Sequence, residues 1–185
     1  MALFAERGTA GVSIREIASA AGVSPSLVIH HYGSKEGLRG AVDRRVVEFV
    51  TAELDDMNRL GDEGAAAEMG GLWADRLQRV PALVEYVRRL LLDGGEAAEA
   101  LFDRLLRAVL AGMEAMTAAR LTRPSPDEQA RAAFVLVNDL AVVLLRRHIE
   151  RGLGVDPLSK PGLVRWSATA IDVYTNGLLS KNEQQ

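Results

Sequence analysis

Between Ser13 and Gly33 the chain spells out two helix starts and two helix stops in close succession, and few folds accommodate that. Ser13 is a good helix N-cap, and Glu16 stands three residues later, the spacing of a capping box. Ile14, Ile17, Ala18 and Ala21 follow at helical spacing, which predicts a helix of about two turns. Gly22 is able to adopt the left-handed conformation that ends a helix, and Val23 supplies an apolar anchor in the turn. Ser24 then caps a second helix with Pro25 at its first position, where a missing N–H costs nothing. That helix runs through Leu27, Val28 and His31 to Tyr32 and stops at Gly33. Two short helices joined by a tight glycine turn make a helix-turn-helix.

The rest of the chain reads the same way. Alternating apolar and polar runs bounded by turn residues do not occur, and the good helix formers alanine, leucine, arginine and glutamate dominate. Gly and Pro positions (Gly8 to Gly11, Gly22, Gly33, Gly61 to Gly64, Pro81, Gly94 and Gly95, Pro124 to Pro126, Gly152 to Pro161) divide the chain into about nine helical pieces. Leu38, Val42, Val46, Phe49 and Leu54 form one apolar stripe. Leu101, Phe102, Leu105, Leu106, Val109, Met113 and Met116 cover two adjacent stripes, and Leu163, Trp166, Ala170, Tyr174 and Leu178 form another. The expectation is an all-α protein.

Composition removes several function classes. The absence of cysteine rules out a disulfide framework, a thiolate zinc site and a cysteine nucleophile. His30 and His31 are adjacent and point about 100° apart on a helix, too divergent to chelate one ion easily. His148 follows Arg146 and Arg147 near the end of a helix, where cations suit the dipole. No Ser–His–acid arrangement, phosphate-binding glycine loop or metal-ligand cluster is recognisable, so no catalytic residue, metal or cofactor is expected, and the chain does not read as an enzyme. No apolar run approaches the roughly 20 residues of a membrane span. The start, MALFAERG, does not read as a signal peptide, and a soluble, cytoplasmic protein is expected. The net charge of −3 argues against non-specific coating of nucleic acid. Residues 1–47 nevertheless carry six basic groups (Arg7, Arg15, Lys35, Arg39, Arg44, Arg45) against four acidic ones, a net of +2, which leaves −5 for the remainder. A mildly basic head on an acidic body suits a head that reads nucleic acid.

The stretch LFAERGTAGVSIREIASAAGVSPSLVIHHYGSKEGLRGAV resembles the DNA-binding region of the TetR/AcrR family of one-component bacterial repressors. The likeness joins Phe4 and Gly8, Ile17 and Ala18, Ala21 to Ser24, His31, Tyr32, Lys35 and Leu38 at fixed spacing. It implies a three-helix DNA-binding domain over 1–47, its first helix shortened, and a helical ligand-binding and dimerisation domain over 48–185. Ser24 to Tyr32 would be the recognition helix, with Ser26, Leu27 and His30 facing base edges and Arg15 reaching a guanine or a phosphate. Lys35 and the backbone N–H groups at the helix starts would meet phosphates. His31 would pack under Tyr32. The expected DNA-contacting set is Arg15, Ser24, Ser26, Leu27, Ile29, His30, His31 and Lys35. The family usually has a backbone-touching tyrosine where this chain has Ile29, so that hydrogen bond is missing or gives way to an apolar interaction such as one with a thymine methyl. The family's first helix also normally begins some ten residues earlier. Either the start lies upstream or the head packs less firmly and lacks a basic arm.

In the body, Trp73, Leu77, Phe102, Leu106, Met113, Phe134 and Asn138 are the candidate lining of a ligand pocket, since methionines and aromatics make adaptable apolar walls. Asn138 and Asp139 are the polar pair amid FVLVNDLAVVLL; Asn138 would bond a ligand, a backbone carbonyl or a subunit partner. Helices expected over 126–151 and 161–180 are apolar on more than one side and would pair with a second copy as a four-helix bundle, with Val142, Leu145, Trp166, Ile171 and Tyr174 at the interface. Two recognition helices on a two-fold axis roughly double the contacts to a palindromic site. The resulting expectation is a homodimeric DNA-binding repressor, released from a double-stranded palindromic operator by a small, mainly hydrophobic molecule. The alternative is a helical ligand-binding or partner-binding protein whose head no longer binds DNA.

Overall fold

The computed structural model describes residues 1–60 and 81–178, which form nine α-helices and no strand. The first four are α1 (Ala2–Arg7), α2 (Ile14–Ala20), α3 (Pro25–Tyr32) and α4 (Lys35–Leu60). After them come α5 (Pro81–Asp93), α6 (Glu96–Ala118), α7 (Glu128–Leu144), α8 (Arg146–Leu153) and α9 (Lys160–Asn176). None of the helices among these residues is long and apolar enough to cross a membrane.

One apolar core joins head and body. Phe4 and Ala5 of α1, Val12 of the following loop, Ala18 of α2, Val28 of α3 and Leu38, Val46 and Val47 of α4 are buried together in the head half. The cluster continues without interruption through Leu83, Tyr86 and Leu90 of α5, Leu101 and Leu105 of α6, and Leu136 of α7. The element that makes this continuity possible is α4, whose 26 residues span about 39 Å. It packs against α3 and against α6, and it crosses the position near residue 47 where the sequence divides into a basic and an acidic part. The α4 stripe is recovered at Leu38, Val42 and Val46, whereas Phe49 is exposed and Val47 and Val50 face the core in its place.

The C-terminal third differs from expectation in one respect. The helix expected over 126–151 is two, because the chain breaks helical geometry at Leu145 (φ −107°, ψ 16°). Arg146, the first residue of α8, forks onto the Asp156 carboxylate at 2.8 and 2.5 Å. That ion pair holds the Asp156 carboxyl below the usual carboxylate range. The same carboxylate accepts the Leu158 N–H at 3.1 Å, so the α8–α9 connection is tied to the start of α8. Leu158 in turn closes a second small apolar cluster with Val84 of α5 and Val142 of α7, flanked by Val143 and Trp166.

Candidate nucleic-acid interface

The two short helices of the head are fixed by local hydrogen bonds at each end. At the start of α2 the Ser13 hydroxyl accepts the Glu16 N–H at 3.3 Å, and the Glu16 carboxylate accepts the Ser13 N–H at 2.8 Å and its hydroxyl at 2.7 Å. Arg7, from the end of α1, donates to the other Glu16 oxygen at 2.7 Å. Those Ser13 bonds, with Arg7 beside them, hold the Glu16 carboxyl down at about 2. At the end of α2 the N–H groups of Gly22 and Val23 reach back to the carbonyls of Ser19 and Ala18 (3.2 and 3.0 Å), a paired closure that places Gly22 at φ +67°. Ser24 restarts the helix by accepting the Leu27 N–H at 3.2 Å. After α3, Ser34 accepts the Gly37 N–H at 3.0 Å and opens α4. Gly37 lies so close to the end of α3 that a Cβ there would run into the Tyr32 carbonyl oxygen.

These constraints present α3 outward. Val28 alone of its residues is buried, so α3 is anchored by one apolar side chain and otherwise exposed. With about 100° per residue, Ser26 and His30 lie opposite Val28, and Leu27 and Ile29 flank them on either side. Leu27 is 41% and Ile29 43% exposed, large values for such side chains. No residue from Pro25 to Tyr32 carries a formal charge when histidine is neutral.

The expected DNA-facing residues are mostly exposed. Arg15, Ser24, Ser26, Leu27, Ile29, His30 and His31 are all exposed. His31 does not pack under Tyr32: both are exposed, with ring centroids 6.4 Å apart and tilted by 59°. Ser26 shares a hydrogen bond with Ser24 at 2.9 Å, which engages its hydroxyl with the cap. Lys35 is half-buried, and its ammonium donates to the Val12 carbonyl at 3.3 Å, bracing the loop before α2. Two further ammonium protons remain for an anion.

Three polar connections between body and head join residues far apart in the sequence. Arg89 of α5 forks onto the last carbonyls of α1, donating to Ala5 and, at 2.8 Å, to Glu6. Tyr86 of α5 donates to the buried Asp43 of α4 at 2.6 Å; burial first, and then this carboxylate, push the phenol far above its ordinary range. Arg39 stands 3.6 Å from Asp43 and reaches Asp93 at 3.2 Å, closing the network at the far end of α5. The one trace in the sequence is an acidic residue, Asp43, inside the apolar stripe between Val42 and Val46.

The expected pocket residues do not converge among the described residues. Trp73 and Leu77 lie outside them. Phe102 and Leu106 pack on the main core, and Met113 is half-buried farther along α6. Phe134 is 68% exposed, because α7 turns Ala132 and Leu136 inward and Phe134 stands on the opposite side from both. Asn138 donates to the Tyr174 hydroxyl at 3.1 Å, an α7–α9 link within the protomer. Of the expected interface residues, Leu145, Ile171 and Tyr174 are exposed. Val142 is placed inside the protomer at 5% exposure, against Val84 and Leu158, and Trp166 is half-buried beside it. The outer face is instead made by Phe134 and Val137 on α7 with Leu145 at its end, and by Val164, Ile171 and Tyr174 on α9 with Leu178 just beyond it, all exposed. Gly162 is the buried residue of α9.

Comparison with known proteins agrees with this geometry. A family model described as bacterial regulatory proteins, tetR family, matches residues 1–42, and one described as a tetracyclin repressor-like C-terminal domain matches residues 79–180. The HTH-type transcriptional regulatory protein RaaS of Mycobacterium tuberculosis is 32% identical over 176 residues, 92% of this chain and 79% of that protein. The HTH-type transcriptional repressor Rv3405c of the same species is 55% identical over 92 residues, 50% of this chain and 42% of its own. Two solved structures share the fold. One, a regulator from Clostridium perfringens, has a TM-score of 0.66 at 19% identity and covers 97% of this chain and 95% of its own. The other, a TetR-family transcriptional regulator from Pectobacterium atrosepticum, has a TM-score of 0.60 at 21% identity and covers 97% and 89%.

Proposed function

The chain belongs to the TetR family of bacterial transcriptional regulators, and on that premise we propose that it is a homodimeric repressor whose two α3 helices read a palindromic operator and release it when a small, mainly hydrophobic molecule binds the helical body. The observation that carries the reading is α3 itself, capped at its start, stopped at Gly33, anchored by Val28 alone and open along its outer face. Arg15 flanks it as a guanine or phosphate contact and Lys35 as a phosphate contact, and the N–H groups at the starts of α2 and α4 add to them.

Dimerisation is supported by α9. A 17-residue helix with Gly162 as its buried residue and with Val164, Ile171 and Tyr174 exposed needs a partner surface, and the α7 face beside it supplies the rest. A second copy across a two-fold axis would bury both faces and set two α3 helices about 34–36 Å apart, one turn of DNA. Repression is favoured by the relative named as a repressor, which is 55% identical over half of this chain.

Release follows from the way α5 grips the head. Residues 48–185 would receive the ligand and residues 1–47 read DNA, with α4 passing between them. A ligand that favours a shifted α5 moves α1 through Arg89 and α4 through the Tyr86–Asp43 bond, and the spacing of the α3 pair no longer fits the grooves. The test is selection of duplexes from a random pool by the purified full chain. Enrichment of an inverted repeat with half-site centres one helical turn apart supports the reading. A pool that stays random through successive rounds moves it to a ligand-binding protein whose head no longer reads DNA.

A further inference from the structure

Resting on the reading of α3 as the DNA-contacting helix, we infer that the half-site is recognised through thymine 5-methyl groups, and that Leu27 and Ile29 are the residues that read them.

The chemistry of the outward face leaves little else for α3 to do. Specific contacts to guanine in the major groove come chiefly from arginine or lysine, which donate to its O6 and N7, and those to adenine from asparagine or glutamine. None of these four residue types occurs between Pro25 and Tyr32. The polar groups on the outer line are the Ser26 hydroxyl, already engaged with Ser24, and the His30 ring. Leu27 and Ile29 stand on the two sides of that line, about 160° apart, so that one faces each wall of the groove. Both are more than two-fifths exposed in the protomer and neither joins its core. An aliphatic side chain held rigidly at a groove wall has one favourable partner among the base edges, the thymine methyl, and gains nothing from a cytosine amine or a purine N7. Ile29 adds shape as well, since its branched Cβ keeps a single rotamer on a helix. Arg15 is the guanine reader available to this head, and it lies on α2 rather than α3. The half-site should thus combine thymines under α3 with any guanine displaced to the side of α2.

The experiment uses the duplex selected by the full chain and copies of it in which one thymine at a time is replaced by deoxyuridine, which removes the methyl group and leaves base pairing intact. Affinity of the wild-type protein should fall by about threefold to fivefold at one or two thymines per half-site, the value of one buried methyl, and by tenfold or more when both half-sites are changed. The same replacements should cost Leu27→Ala or Ile29→Ala nothing further at the thymine each residue reads. Both positions are exposed and alanine is a strong helix former, so circular dichroism should find the variants folded. Uridine duplexes bound as tightly as the thymine duplex by wild type would overturn the inference. So would a uridine penalty that persists undiminished in both variants, or a selected half-site without thymine. If no duplex is selected, the function proposed above falls first and this inference with it; a selected duplex indifferent to uridine defeats this inference alone.

Discussion

Glu16 does two jobs with one exposed carboxylate: it closes the cap of α2 through Ser13 and ties α1 to α2 through Arg7. Its folded pKa of about 2 lies below the ordinary value of about 4.3, so folding favours the ionised form. The stability this provides is therefore complete above the ordinary carboxylate range and is lost as pH falls toward 2. In urea titrations wild type should exceed Glu16→Ala by a constant margin above about pH 5, with the gap closing between about pH 4.3 and 2. A gap independent of pH would show that the carboxylate's charge contributes nothing. Lys35 braces the Val12 carbonyl with the same ammonium that the proposed function sets against a phosphate. Lys35→Ala should weaken binding about equally on all DNA sequences and lower the salt slope by about 0.9 for each phosphate no longer neutralised. Weakening confined to one sequence would place Lys35 at a base instead.

Among the helices, α5 governs how firmly the head is held. Arg89→Met removes both bonds to the α1 carbonyls, and amide exchange in α1 should quicken while that in α6 does not. Unchanged exchange in α1 would show that apolar packing of Phe4 and Ala5 suffices. Tyr86→Phe leaves a buried Asp43 with Arg39 at 3.6 Å as its remaining partner, and should cost about 1–3 kcal/mol in denaturant titration. These links explain what is legible in the sequence and what is not. The Ser13–Glu16 box, the Gly22 closure and the Ser24 cap join residues within five positions of each other, so residue type and spacing carry them. The Tyr86–Asp43 and Arg89–Ala5 bonds span 43 and 84 residues, and no local pattern encodes such a pairing. The break at Leu145 is hidden for the same reason: AVVLLRRHIE holds no glycine or proline, and Arg146 finds its partner ten residues on. Periodicity likewise shows that α7 is apolar on more than one side without saying which side faces the protomer's own core.

For the molecule as a whole, that last distinction separates Val142 from Ile171. Val142→Ala hollows the Val84–Leu158 cluster and should lower protomer stability by about 1–2 kcal/mol without changing the oligomeric state. Ile171→Asp places a charge on the outer α9 face and should yield a folded monomer by sedimentation, with operator affinity reduced at least about a hundredfold because each half-site is then bound alone. A dimer persisting in Ile171→Asp would move the interface elsewhere. In the proposed function, head, lever and paired body would serve one activity, the reading of a two-fold DNA site. The most direct measurement is fluorescence-anisotropy titration of the full chain against the DNA upstream of its own gene, with unrelated duplex in excess and at several salt concentrations. Saturable binding that survives the competitor, with two protomers per site, is the expected outcome. Binding that unrelated DNA displaces at equal concentration, or that vanishes at physiological salt, would mean that this head does not read sequence.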